Sequence, residues 1–588
     1  MHLNRAYTPP PSSRPPVGRP FELRSNIPDG TLHHVTPLTP VHFLLRAALV
    51  RPDKLAIVHP EQGYHFTYAQ WAARVLSLAF ALREVPGWRN GDRVAILSPN
   101  VPLIADAHFG VLAAGGVCTP LNFRNSPKEI EFILQHADVR VVLVDHAVAH
   151  LVPPNLPSTI TVVVSLDSGG QRKDDAYEAF LMRGHVAWQN AQQYAGGARD
   201  WALLTQPADE LVTCALCYTS GTTGRPKGVE YSFRGAYLSA LGNVIESNLT
   251  GDSVYLWVLP MFHCCGWTFP WAVTAGMGTH YMLRQVDYAQ IWDALLHGGV
   301  THYAGAPTVQ LGVVNAPQAK RLDHAVRVLV AASAPTATLL ARMEGLQLYP
   351  VHVYGLTETY GPSTRRFAEA AWQTLDLDAR SRLQARQGHA MVTSDETRVV
   401  RRTEETQTDT VLEDVQRDGQ EVGEIVMRGN MTLKGYYRDP DATAQATRGG
   451  WFHTGDLAVR HPGGEVQILD RGKDVIISGG ENISSVMVEQ ELATHPWVNE
   501  MAVVARVHPQ WGEVVHAFVL LSPEGERALA GKDPTAATAA LAQTLEAHCR
   551  QHMSKFAVPK TYTIVTELPK TSTGKIQKKV LRERIARL

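Results

Sequence analysis

From Thr219 to Gly228 the chain reads TSGTTGRPKG: Thr219, Ser220, Gly221, Thr222, Thr223, Gly224, Arg225, Pro226, Lys227, Gly228. Glycines remove Cβ atoms so that successive backbone N–H groups can turn inward, hydroxyls add donors, and Lys227 adds a full positive charge. Such a loop is suited to holding phosphate. Residues 211–218 ahead of it form an apolar run that reads as a strand, and a strand feeding a Gly-rich turn is a common setting for nucleotide phosphates. The spacing is not that of the Walker loop, which needs GxxxxGK[ST] leading straight into a helix. Here Pro226 precedes the lysine and Gly228 follows it. A plain surface turn is the alternative for any loose Gly/Ser/Thr match, and ten ordered positions weigh against it.

Working outward, five further blocks follow: YGLTET at 354–359, GEIVMRG at 423–429, WFHTGD at 451–456, DRGKDVIISGGENIS at 470–484 and PKTSTGKIQK at 569–578. In content and order the series resembles the adenylate-forming superfamily of acyl-CoA synthetases, luciferases and peptide-synthetase adenylation domains. The resemblance runs from about residue 41 to the C-terminus. It implies an α/β fold: a large AMP-binding N-terminal domain of layered α/β subdomains, residues 37–472, and a small mobile α+β C-terminal domain, 473–588, hinged at Lys473.

The residue patterns agree with this. A helical pattern at 68–84 alternates with β-rich runs at 94–97, 139–144 and 328–332, the rhythm of parallel α/β layers. Residues 382–420 are polar and charge-rich and read as an extended, partly exposed connection. Farther on, strands are expected at 501–507 and 517–520 and helices at 535–551 and 576–587. There is no internal repeat.

Composition sets bounds. A chain of 588 residues with 45% hydrophobic and 19% charged content can bury large cores and form more than one domain. A net charge of −1 argues against a nucleic-acid partner. The most apolar stretch, 101–121, is interrupted by Asp106 and His108, so a soluble protein without integral membrane contact is expected. Six cysteines in so long a chain form no disulfide framework and indicate a reducing compartment. Cys214 and Cys217 make a C-x-x-C with no second pair nearby, and strand positions three apart face opposite sides, which weighs against a metal or redox role. Residues 1–36 are proline-rich and read as a disordered or surface-wrapping tail. Ala586, Arg587 and Leu588 resemble the small, basic, leucine pattern of a type-1 peroxisomal signal, which would make an import receptor a partner and the peroxisome the location; otherwise the location is cytoplasmic. A helix that simply ends in a basic residue and leucine is the other reading.

The resemblance also assigns roles. A carboxylate attacking the α-phosphate of ATP is an anion approaching an anion, so lysines and Mg²⁺ are needed to neutralise charge. Thr219, Ser220, Gly221, Thr222, Thr223, Gly224 and Lys227 would hold the β- and γ-phosphates. Glu358 and Thr222 would hold the magnesium, and Thr357 would contact the α-phosphate. Tyr354 and Gly355, with the backbone of Ser333, Ala334 and Pro335, would enclose adenine. Asp456 would accept the ribose hydroxyls, helped by Arg471. Lys575 would be the decisive charge of adenylation, and rotation about Lys473 would then exchange it for Gly479 and Gly480, which approach coenzyme A. His263, in MFHCCGW, stands where peptide-synthetase domains carry an aspartate and is similar to the gate of acyl-CoA synthetases; a buried structural histidine is the alternative.

The function implied is fatty-acid-type activation: a carboxylic acid, ATP and coenzyme A giving acyl-CoA. With only thirteen residues beyond Lys575, no carrier domain is expected to follow. Trp267, Phe269 and Trp271, with Gly305, Ala306, Ala331 and Ala332, form either an acyl pocket or ordinary core. ETYGPST at 358–364 and MSKFAVPK at 553–560 resemble the branch acting on short- to medium-chain or aromatic acids. Adenylate formers that use a carrier protein or oxygen, and a catalytically silent nucleotide-binding protein, share the same phosphate residues. The sequence leaves the oligomeric state open.

Overall fold

In a computed structural model of the chain, all residues are described except 1, 2, 5, 220–225, 332–336, 370, 371, 373, 403–410, 473, 479, 480, 572–574, 587 and 588. The large domain is built on two mainly parallel sheets. One has nine strands, with Val254–Leu256, Thr279–Tyr281, His302–Ala304, Val326–Val330 and Leu348–Leu356 at its centre. The other has seven, in which Arg93–Leu97, Val117–Pro120, Val139–Asp145 and Thr161–Ser165 run parallel. Thr213–Thr219 joins this second sheet, parallel to Val117–Pro120 and antiparallel to Lys227–Ser232.

Helices fill the space between the sheets. Tyr68–Arg83 starts at a capping box, in which Thr67 Oγ1 accepts from Gln70 N and Gln70 Oε1 accepts from Thr67 N. It packs against Ala176–Tyr194 and Pro102–Ala113. Every residue of Pro102–Ala113 is buried, so the apolar run at 101–121 is a core helix followed by the strand Val117–Pro120. Asp106, which interrupts that run, is compensated: it accepts from Arg74 Nε at 2.6 Å, Trp71 Nε1 at 3.0 Å and the Tyr177 hydroxyl at 3.0 Å. Among the described residues no helix is long and apolar enough to cross a membrane.

Two sequence expectations are refined. The N-terminal tail wraps the surface: Ser12 and Ser13 are buried, Tyr7 donates to the Gly169 carbonyl at 2.8 Å, and Arg19 grips Asp200 with bonds of 2.7 and 2.9 Å. The stretch 382–420 is not one extended connection. It begins inside the helix Leu377–Gln384, and Arg398–Val400 is a strand of a third, antiparallel sheet with Gly423–Met427, Phe452–Arg460 and Val466–Arg471. The cause is Val399, fully buried opposite Ile425 within an otherwise polar stretch.

The C-terminal region forms its own sheet, in which the long hairpin Val498–His508 and Gly512–Leu521 is joined by Thr561–Ile564. The helices Ser485–Leu492, Pro534–His552 and Lys578–Ile585 accompany it. Ser485 N donates to Asp470 at 2.6 Å, and Arg582 pairs with Asp474 at 2.5 Å, so both ends of this region close on the last strand of the third sheet and the residues just after it. A cavity of about 410 Å³ separates Tyr288, Thr308 and Gly312 of the large domain from Asn499, Glu500 and Lys570 of the small one.

Candidate active site

The hairpin Thr213–Thr219/Lys227–Ser232 sets Thr219 directly opposite Lys227, so the ends of the Gly-rich loop are pinned by strand pairing. Ser220, Gly221, Thr222, Thr223 and Gly224 lie outside the described residues. Lys227 Nζ sits 4.9 Å over the Tyr436 ring, and the Tyr436 hydroxyl donates to Glu358 Oε1 at 3.0 Å. Tyr436 therefore links the lysine to the acidic block. The sequence reading missed it, although it lies seven residues beyond the GEIVMRG block, in the strand Gly435–Tyr436 that pairs with Lys227–Ser232.

Glu358 lies in the short turn Thr357–Thr359 that ends the strand Leu348–Leu356. Leu433 N donates to its carbonyl at 2.7 Å, and Thr359 Oγ1 accepts from Leu356 N at 2.8 Å. Burial pushes the Glu358 carboxyl above its ordinary value, while Tyr436 and the more distant Arg471 pull it back. A partly buried carboxylate next to a phosphate loop suits a hard cation such as Mg²⁺, which takes one or two carboxylates beside phosphate oxygens. Gly355 is required by close approach, since a methyl there would overlap the Gly361 carbonyl.

Asp456 and Arg471 face each other across antiparallel strands, with Arg471 Nε 3.1 Å from Asp456 Oδ1. Tyr354 donates its hydroxyl to Asp456 Oδ2 at 2.6 Å. Burial, and then the Asp456 charge, hold the Tyr354 phenol well above its ordinary value, so it stays protonated and donates. Tyr354 and Glu358 from one block thus form a polar wall with Asp456 and Arg471, which lie about a hundred residues on. Ser333, Ala334 and Pro335 lie outside the described residues.

Beyond His263, residues 264–268 all have positive φ, from 50° to 61°. A left-handed turn that is non-glycine at four of five positions costs roughly 1–2 kcal/mol per such residue, so the surroundings must impose it. Among its partners, Cys264 Sγ contacts Thr357 Oγ1 at 3.2 Å, and Asn243 Nδ2 donates to the Trp267 carbonyl at 2.9 Å and to Thr268 Oγ1 at 3.0 Å. The turn carries His263 and Trp267 to the Thr357 side of the site, where Trp267 lies against Gly361. Phe269 and Trp271 belong to the core: both are fully buried, Phe269 stacks on Tyr255, and Trp271 donates to the His108 carbonyl at 3.0 Å. Gly305 N donates to Leu329 O at 3.0 Å, Ala306 caps the helix Pro307–Asn315, and Ala331 is partly buried; Ala332 lies outside the described residues.

His263 is partly buried, and burial followed by the positive charge of Lys575 pushes its imidazole down to about 4. Lys575 belongs to the C-terminal region, near enough to His263 for its charge to bear on the ring. A local loop presents it: Lys575 N donates to Thr571 Oγ1 at 3.1 Å, and Thr571 N donates to the Lys575 carbonyl at 2.7 Å. Lys473, Gly479 and Gly480 lie outside the described residues.

Known proteins show the same pattern. Residues 44–437 match the family model of the AMP-binding enzymes, and residues 487–575 match that of the AMP-binding enzyme C-terminal domain. A peroxisomal acetate/butyrate–CoA ligase of Arabidopsis thaliana is 38% identical, the match covering 93% of this chain and 94% of that protein. A peroxisomal trans-cinnamate:CoA ligase of Petunia hybrida is 35% identical, with coverage of 93% and 94%. Among solved structures, ATP-bound MatB from Rhodopseudomonas palustris superposes with a TM-score of 0.74 at 26% identity, covering 92% of this chain and 98% of that one. The chain therefore belongs to the AMP-binding, adenylate-forming enzymes, as an AMP-forming acyl-CoA ligase.

Proposed function

We propose that this ligase acts on short- to medium-chain or aromatic carboxylic acids, and that the residues gathered above carry out its two half-reactions. The observation that carries the reading is the link from Lys227 through Tyr436 to Glu358, beside the contacts of Tyr354 and Arg471 with Asp456.

In the first half-reaction the acid's carboxylate oxygen attacks the α-phosphorus of ATP, the bond to the β-phosphate oxygen breaks, and pyrophosphate leaves. Thr219, Lys227 and the loop at 220–225 hold the outgoing phosphates. Lys575 bridges the carboxylate and the α-phosphate, and Thr357 donates to the same phosphate. Asp456 accepts the ribose hydroxyls, oriented by Arg471 and Tyr354, with adenine against Tyr354 and the backbone of residues 333–335. Glu358 and Thr222 would hold Mg²⁺, which would supply charge neutralisation at the phosphates. In the second half-reaction the coenzyme A thiol attacks the acyl carbonyl, AMP leaves, and the thiol proton passes to solvent. Rotation about Lys473 between domains 37–472 and 473–588 withdraws Lys575 and brings up Gly479 and Gly480. His263, kept neutral near pH 7, lies between acyl group and thiol without adding a charge.

The names of the relatives support the acid class, and Trp267 beside Gly361 gives this chain an aromatic wall near Thr357. The two ligases named above are peroxisomal, which supports import through Ala586, Arg587 and Leu588. Measuring coenzyme-A-dependent AMP release over acids of graded length and shape tests the function. Turnover of acetate, butyrate or a cinnamate-like acid is expected, and release limited to long-chain acids would contradict it. Lys473→Pro should spare adenylation and block the thioester step. A dozen C-terminal residues fused to a fluorescent reporter should bring it to peroxisomes, and a diffuse signal would remove that location.

A further inference from the structure

The helix Pro534–His552 places His548 and His552 one turn apart on the same face. That face packs on Ser485–Leu492, whose Glu491 side chain meets both: Glu491 Oε1 is 2.7 Å from His552 Nδ1 and 3.2 Å from His548 Nε2. One ligand atom from each of the three residues lies within 4.8 Å of the other two. None of these residues takes part in the catalytic assembly. They are also open to solvent, with side-chain exposures of 19% for Glu491, 21% for His548 and 58% for His552.

We propose that Glu491, His548 and His552 form a binding site for a divalent transition cation of the zinc class, which clamps the helix Ser485–Leu492 to Pro534–His552. Zinc bonds to imidazole nitrogen and carboxylate oxygen of about 2.0–2.2 Å put tetrahedral ligand atoms roughly 3.3–3.5 Å apart. The separations of 2.7 and 3.2 Å to the carboxylate oxygen are already close to that, so small side-chain rotations complete the site. Binding needs the lone pairs that now face Glu491: each imidazole shifts its proton to its other ring nitrogen, and water fills the fourth position. The Thr494 hydroxyl, 2.7 Å from His548 Nε2, gives up that contact when the nitrogen takes the cation, and keeps its own hydrogen bond to the Glu491 carbonyl. Two imidazoles and one carboxylate select Zn²⁺, Co²⁺, Ni²⁺ or Cu²⁺ over Mg²⁺ and Ca²⁺, which prefer oxygen donors. The site is therefore chemically distinct from the magnesium position at Glu358.

The consequence is mechanical. Ser485, at the start of the first clamped helix, binds Asp470 through its N–H, and the second helix ends just before the segment leading to Thr561–Ile564. A cation here would stiffen the domain that carries Lys575. The test is a titration of the full chain with Zn²⁺ by calorimetry and by melting temperature, beside the exposed variants His548→Asn/His552→Asn and Glu491→Gln. One Zn²⁺ per chain at the native site, a higher melting temperature, and at least tenfold weaker binding in the double variant with unchanged CoA-ligase activity are expected. Co²⁺ should give the visible absorption of a tetrahedral nitrogen/oxygen site in the native chain and not in the double variant. Absence of Zn²⁺ binding would overturn the proposal, as would equal binding by the double variant, which would assign the ion to the buried trio His108, Cys118 and Cys265. Full displacement by equimolar Mg²⁺ would overturn it as well.

Discussion

Asp456 stands across an antiparallel strand pair from Arg471, 3.1 Å from its Nε, while its second oxygen accepts the Tyr354 hydroxyl at 2.6 Å. This carboxylate is only 3% exposed, and a cation and a phenol stand in place of the water it has lost. The same two contacts fix its orientation, as the proposed ribose contact requires.

Asp456→Ala should therefore act through ATP. Losing charge-assisted hydrogen bonds worth about 1.5–3 kcal/mol each raises KM for ATP on the order of 10²-fold. KM for the acid should change little. Tyr354→Phe removes one neutral donor, about 1 kcal/mol, and should cost roughly fivefold. Steady-state kinetics with ATP varied at saturating acid checks both, and an effect confined to the acid would contradict the assignment.

Gly355→Ala tests close packing beneath the acidic turn. The added methyl would overlap the Gly361 carbonyl, and a backbone atom cannot yield as a side chain can. Forced overpacking costs about 1–3 kcal/mol, so a melting temperature lower by several degrees is expected, with adenylation falling at least tenfold because Thr357 and Glu358 follow directly. A variant that melts and reacts like the native enzyme would refute this packing argument.

Acid should destabilise the fold through its buried histidines. Burial holds His280 down to about 3, and His302 and His516 to about 4. Below the unfolded value of 6.5 the unfolded chain binds protons that the native chain refuses, so the stability these groups contribute is full above about pH 6.5 and is lost as pH falls toward 4. Each contributes on the order of 3 kcal/mol across that window. Melting temperature measured from pH 7 to 4.5 should fall steadily; a flat profile would show that these rings are already charged or exposed.

Much of this architecture was legible in the sequence because the phosphate and nucleotide blocks are local. YGLTET falls on a strand end and the turn beyond it, WFHTGD runs into the strand Phe452–Arg460, and Thr219 and Lys227 at the two sides of the Gly-rich block pair as strand residues; the helix at 68–84 was readable from its apolar spacing. What escaped depended on distant partners. Tyr436 reads as an ordinary aromatic until the pairing of Gly435–Tyr436 with Lys227–Ser232 places it between Lys227 and Glu358. Val399 and Val400 are a short apolar pair in a charged stretch until the strand Gly423–Met427 pairs with them. Phe269 and Trp271 could not be divided from Trp267 by spacing, because the left-handed turn at 264–268 breaks any helical or strand period. What spacing could not show for C-x-x-C is its packing: both Cys214 and Cys217 are buried, and Cys217 Sγ lies 3.5 Å from Cys265 of that same turn.

The most direct measurement compares the two half-reactions in Lys575→Ala. Removing one preorganised donor to a developing charge typically costs about 3–4 kcal/mol, or roughly 10²–10³ in rate. Acyl-adenylate formation, followed as ATP–pyrophosphate exchange, should slow by that order, while thioester formation from supplied acyl-adenylate stays within a few-fold of native. Equal losses in both half-reactions, or exchange at the native rate, would contradict the convergence of Lys575 and the large domain on one nucleotide.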